Sequence, residues 1–307
     1  MKTIAYASGS ETLPIVRSRW LDFVELTKPR IAVLVLFTVA VGGLLAATAP
    51  YDLTQLGHAL VGTALVAAGA SALNQWMERG TDGLMRRTEN RPLPAGRLAS
   101  AEVLGFGIVL SVLGLGYMFI LMAHPLAGAL TALTLVSYVF VYTPLKRKTT
   151  LNTLIGAVPG ALPPVIGWAA MTGSLDRVAG ILFLIVFLWQ VPHFLAIAWM
   201  YREDYGRAGL KMLPVVDEDG SATGRQMLLY CIALIPVSLL PVMLGDASLM
   251  FGFGALGMGA YFVRAIGGFV MAPTQTQARK VLHASLVYLP GVMGLLLIER
   301  LIRYLMA

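Results

Sequence analysis

A chain of 307 residues with 57% hydrophobic and only 13% charged residues, at a mean hydropathy of +0.75, carries about half the charge of an ordinary soluble domain. So little charge cannot cover a water-soluble globule of this size, which excludes a soluble enzyme and a disordered chain. The single cysteine, Cys231, excludes a disulfide scaffold or thiolate cluster.

The first 25 residues are polar, include Glu11, Arg17 and Arg19, and lack the apolar core of a secretory signal. They read as a cytoplasmic segment of one integral membrane domain covering 1–307. Apolar stretches of about 20 residues, the length that crosses ~30 Å of hydrocarbon as helix, follow it. They fall near 31–49, 55–77, 103–122, 126–142, 152–171, 179–200, 226–244, 248–270 and 283–303. The runs are continuous and do not alternate, which predicts helices and excludes a barrel. The expected fold is therefore all-α, a polytopic bundle of about nine transmembrane helices.

Basic residues sort onto alternate loops. Lys28 and Arg30 precede the first span, Arg79 to Arg97 separate the second and third, Lys146 to Lys148 follow the fourth, Arg202 to Arg225 the sixth, and Arg279 and Lys280 the eighth. The opposite loops hold only Arg177. A net charge of +7 thus reports orientation rather than a nucleic-acid partner, with the amino terminus cytoplasmic in the cell inner membrane.

Chemistry concentrates at this basic end. Asn74, Glu78 and Asp82 are spaced i, i+4, i+8, which puts three oxygen side chains on one helix face where the second span leaves the hydrocarbon. Such hard oxygens suit Mg²⁺. Arg86, Arg87 and Arg91 follow and can neutralise an anionic group. The competing reading is a solvated helix end whose acids and arginines pair with each other. A second polar cluster, Arg202-Glu203-Asp204-Tyr205, follows the sixth span, and a third patch, Lys146-Arg147-Lys148, follows the fourth. Within the sixth span, Gln190 and His193 are costly in lipid unless paired, so they are expected to point inward. Together these patches describe a site for Mg²⁺ and a diphosphate beneath an apolar chamber.

Several motifs carry a resemblance. The Asn74–Glu78–Asp82 spacing continues into Met85-x-Arg87-Thr88-x-x-Arg91-Pro92-Leu93. Further along come Tyr142-Thr143-x-Leu145-Lys146-Arg147, Trp189-Gln190-x-Pro192-His193-Phe194 and Asp204-Tyr205…Met212-Leu213-Pro214, with Leu26-Thr27-Lys28-Pro29-Arg30 at the start. The chain thus resembles the UbiA superfamily of intramembrane prenyltransferases, and within it the branch that farnesylates haem. The superfamily's usual first motif is Asn-Asp-x-x-Asp-x-x-x-Asp. Here Gln75 follows the asparagine, Glu78 is the middle acid, and the second acidic motif is reduced to Glu203-Asp204. These departures favour the haem branch over an aromatic-acid acceptor.

The resemblance implies transfer of farnesyl from farnesyl diphosphate to a vinyl group of protohaem IX with addition of water, giving haem O and diphosphate. It assigns catalytic roles to Asn74, Glu78, Asp82 and Asp204, Mg²⁺ ligation to these and Glu203, and diphosphate binding to Arg87, Arg91, Lys146 and Arg147. His193 and Gln190 are expected on the haem side, with iron ligation, a propionate contact and a backbone contact all open for His193. A terminal oxidase or a haem A synthase is implied as the partner that receives the product. The rival readings are a UbiA-type enzyme acting on a quinone or chlorophyll precursor, and a secondary transporter.

Overall fold

The computed structural model describes residues 18–47 and 53–306, and among these the regular elements are all helical. Residues 1–17 of the polar amino-terminal segment, and most of the loop near 50–54, lie outside the described residues. In chain order the elements are α1 (Arg19–Leu26), α2 (Pro29–Ala46), α3 (Thr54–Asp82), α4 (Ser100–Leu121), α5 (Pro125–Val136), a π-helical stretch (Ser137–Tyr142) and the short turn α6 (Thr143–Leu145). These are followed by α7 (Asn152–Thr172), α8 (Arg177–Met200), α9 (Arg202–Arg207), α10 (Leu213–Val216), α11 (Ser221–Met243), α12 (Leu249–Met271) and α13 (Gln275–Met306).

Nine helical segments among the described residues are long and apolar enough to cross a membrane, with α5, the π-helical stretch and α6 forming the fourth. Several boundaries differ from expectation, among them those of the second and ninth spans. The second span runs on to Asp82, so the whole oxygen row sits on one unbroken helix of 29 residues, roughly 43 Å long. The ninth begins at Gln275, eight residues early, because its first two turns are polar and hydropathy alone does not include them.

Glycine lets the inner helices approach closely. A β-carbon on Gly42 of α2 would collide with the Pro164 carbonyl of α7, and one on Gly167 of α7 with the Val39 carbonyl of α2. Helix α7 holds Pro159, Pro163 and Pro164 and is buried along most of its length. The outer helices α4 and α12 expose Ile108, Val112, Phe119 and Phe253, as a lipid-facing surface requires.

The end of the segment read as polar is more structured than its composition suggests. Residues 19–26 form α1, Leu26 is fully buried, and Arg97 reaches Asp22 at 3.1 Å and Glu25 at 3.0 Å. These ion pairs fasten α1 against the loop that leads into α4 at the basic end of the bundle.

Candidate active site

The last two turns of α3 carry the row. Asn74 is 1% exposed, Glu78 lies at the rim and Asp82 is fully buried. Each oxygen group meets a cation from a different segment. Lys146, just past α6, donates to Glu78 Oε1 at 2.7 Å, and Arg91 Nη1 donates to Asp82 Oδ2 at 2.6 Å. Lys28, ahead of α2, donates to Asn74 Oδ1 at 3.3 Å. Burial, and then the nearby Arg91 guanidinium, push the Lys28 ammonium down to about 7. An added anion beside Lys28 would favour its charged form against that burial.

The π-helical stretch shapes the wall beside Glu78. Its extra residue per turn is a local irregularity of the sort found at functional sites. Here it ends on Tyr142, whose ring Lys146 Nζ covers at 4.6 Å, and is followed by Thr143, which accepts a hydrogen bond from Asn74 Nδ2 at 3.1 Å. Tyr138 and Tyr142 pack ring to ring with 5.5 Å between centroids, within the range of favourable aromatic pairs. A cleft of about 260 Å³ opens here, lined by Glu78, Thr81, Thr143 and Arg147 among others.

The second polar cluster meets the first through the loop after α3. Asp204 on α9 is 8% exposed; its Oδ2 accepts from the Arg87 backbone N–H at 3.4 Å and its Oδ1 from Arg207 at 2.6 Å. Arg87 donates to the Tyr205 hydroxyl at 3.2 Å and lies over the Tyr201 ring at 4.8 Å. Below them Met85 packs with Ala198, Ala208, Leu210 and Met212, and Lys211 N–H donates to the Lys146 carbonyl at 2.8 Å. Three segments far apart in sequence thus close into one rim. Glu203, adjacent to Asp204, is exposed and lines a separate surface groove with Arg202, Pro214 and Glu218. The structure does not bring it to the oxygen row.

The two polar residues of α8 lie deeper. Gln190 Nε2 donates to the Ala157 carbonyl at 3.3 Å and to Val186 at 3.1 Å, so its amide hydrogens bridge α8 to the proline-rich α7. His193 stacks on Trp189 at 4.7 Å, and its Nδ1 lies 2.8 Å from Ser285 Oγ. Ser285 Oγ already donates its one hydrogen to the Leu282 carbonyl at 2.6 Å. Nδ1 is then the donor to Oγ, and neutral His193 keeps its lone pair on Nε2.

The donor set fits a hard divalent cation. Asn74, Glu78 and Asp82 offer oxygens on one face, and Asp82 Oδ1 is buried without a hydrogen-bond partner although its sister oxygen is paired. Among the described residues no three His, Cys, Asp or Glu side chains form a ready-made metal cage, as expected if most of the shell comes from water and phosphate oxygens. Lys28 and Thr143 are the contributors without an assigned role in the sequence. Lys28 stands within a quoted motif, yet nothing in its spacing connects it to Asn74.

Residues 35–289 match the model of the UbiA prenyltransferase family. A protein named protoheme IX farnesyltransferase from Solibacter usitatus (strain Ellin6076) is 48% identical over 288 residues, covering 91% of this chain and 98% of that one. One of the same name from Opitutus terrae (strain DSM 11246 / JCM 15787 / PB90-1) is 43% identical, covering 94% and 98%. The fold is similar to a solved structure of a digeranylgeranylglyceryl phosphate synthase, at TM-score 0.76, 17% identity and coverage of 92% and 98%. It is also similar to a UbiA homologue from Archaeoglobus fulgidus bound to GPP and Mg²⁺, at TM-score 0.61, 13% identity and coverage of 90% and 99%.

Proposed function

The chain belongs to the UbiA prenyltransferase family, and on that premise we propose that it transfers the farnesyl group of farnesyl diphosphate to a vinyl group of protohaem IX. The observation that carries the diphosphate half is the convergence of Lys146 on Glu78 at the rim and of Arg91 on the buried Asp82. The names of relatives 48% and 43% identical over nearly their whole length support haem as the acceptor.

Asn74, Glu78 and Asp82 would hold Mg²⁺, with Asp204, tied to the same rim through the Arg87 backbone, contributing from the second cluster. Bound there, Mg²⁺ would neutralise diphosphate oxygens and make diphosphate a better leaving group. Arg87, Arg91, Lys146 and Arg147 bind the same oxygens, stabilising the charge that develops as the C1–O bond breaks and its electron pair leaves with diphosphate. Tyr142 and Tyr138 pack ring to ring beside this rim, and aromatic faces there would favour an allylic cation and exclude water. The vinyl π electrons then form the new bond to C1. The resulting cation beside the macrocycle takes up water and loses a proton, giving haem O.

His193, with Nε2 free to accept or ligate, is the residue we assign to the haem side. Gln190 supports it by holding α8 to α7. Glu203 has no part in metal binding in this reading, since it lines another groove. The whole chain acts as one membrane domain in the cytoplasmic membrane. Its basic loops, amino terminus and diphosphate site face the cytoplasm, where the anionic substrate is available.

The test is mass spectrometry of haems extracted after incubating purified protein with protohaem IX, farnesyl diphosphate and Mg²⁺. A product heavier by one farnesyl group and one hydroxyl is expected. Unaltered haem, with farnesyl appearing on a quinone precursor supplied in parallel, would overturn the acceptor assignment.

A further inference from the structure

On the reading that the α3 row serves a diphosphate, we propose that Lys28 is a diphosphate-binding residue and that Gln75 positions it. Lys28 stands at two helix ends at once. It follows Thr27, the last residue of the α1 cap, and is itself the N-cap of α2, with φ 49° and ψ 60°. The first position favours glycine, which adopts this left-handed conformation without a β-carbon penalty. The second favours Ser, Thr, Asp or Asn, whose side chains bond the free N–H groups. Lysine suits neither, and its side chain caps nothing. Among the described residues it is the one non-glycine residue with positive φ. Residues that break local preference in this way mark places where function outweighs local stability.

What the side chain reaches supplies the reason. The Leu26 carbonyl accepts hydrogen bonds from Ser71 Oγ at 2.7 Å and Gln75 Nε2 at 2.9 Å, both on α3. The turn is therefore bolted to the helix that carries the oxygen row, one residue from Asn74. A carboxylate at position 75 could not donate to that carbonyl; the amide can. So held, Lys28 Nζ enters the site at Asn74 Oδ1, 3.3 Å away. Glu78 and Asp82 are already paired with Lys146 and Arg91, so Lys28 is the surplus cation, bonded to a neutral amide oxygen. An anion with several oxygens, drawing on all three cations, would use that surplus.

The experiment measures binding of inorganic pyrophosphate in the presence of Mg²⁺ to the detergent-solubilised full chain by calorimetry, with size-exclusion profiles to verify folding. Lys28→Met should weaken binding about 10–100-fold, the loss of one charge-assisted contact, while Lys28→Arg should stay within about threefold of wild type. Gln75→Met should weaken it about 3–10-fold. The double variant should be no weaker than Lys28→Met alone, because Gln75 acts through Lys28. Unchanged affinity in a folded Lys28→Met protein overturns the inference, and full additivity in the double variant overturns the role of Gln75. Absence of pyrophosphate binding by wild type would instead overturn the diphosphate reading on which the inference rests.

Discussion

Two buried carboxylates at opposite ends of the bundle, Glu299 and Asp82, each face an arginine, yet they are finished differently. Glu299 on α13 accepts from Arg303 Nε and the Ser248 N–H at 3.0 Å on one oxygen, and from Ser248 Oγ at 2.7 Å on the other. Both oxygens are satisfied, and Arg303 continues to the Gly245 carbonyl, so the group locks the turn between α11 and α12. Asp82 accepts from Arg91 at 2.6 Å on Oδ2 and leaves Oδ1 buried and unpaired. Leaving a buried oxygen unpaired costs stability; Asp246, ion-paired with Arg177, also keeps one, but Asp82 stands in a row with Asn74 and Glu78, where a ligand can complete it. In this pair the satisfied carboxylate serves structure, and the half-satisfied one serves chemistry.

Substitutions at each end test that contrast. The largest effect is expected for Asp82→Asn, which keeps the shape and removes the charge: haem O formation in purified membranes should fall at least about 100-fold with little change in thermal stability. Normal turnover with Mg²⁺ present would remove Asp82 from the site. Arg91→Ala should raise the KM for farnesyl diphosphate about 10–100-fold and leave that for haem within a few-fold; steady-state kinetics with each substrate varied will distinguish this from the reverse pattern. At the far end, Glu299→Gln should cost about 1–3 kcal/mol, read as a lower unfolding temperature in detergent, with turnover per folded molecule unchanged. A turnover loss matching that of Asp82→Asn would erase the distinction between the two ends. The smallest effect belongs to Arg147→Ala. This residue is exposed at the cleft mouth, so its loss should raise the KM for farnesyl diphosphate only a few-fold, and less so as salt is added.

The oxygen row was legible because helical spacing is local: Asn74, Glu78 and Asp82 share a face whatever the rest of the chain does. The second cluster was only half legible. Glu203 and Asp204 are neighbours in sequence with the same chemistry, but α9 turns one toward Arg87 and the other into a surface groove. Gln190 and His193 were rightly expected to need partners. Those partners, the Ala157 carbonyl and Ser285, lie 33 and 92 residues away, and no spacing rule connects them. In the sequence Lys28 is one of the basic residues ahead of the first span, and its entry into the site depends on a left-handed turn held from α3.

The order of residues alone determined that this chain lives in lipid, crosses it about nine times, gathers its bases at one end and aligns three oxygen ligands there. Hydropathy and helical period act over one or two turns and need no partner. Tertiary structure decided which acids meet which bases, which amide is spent on backbone, and which lysine faces the row. Those outcomes depend on contacts between segments tens of residues apart, made only when the helices pack.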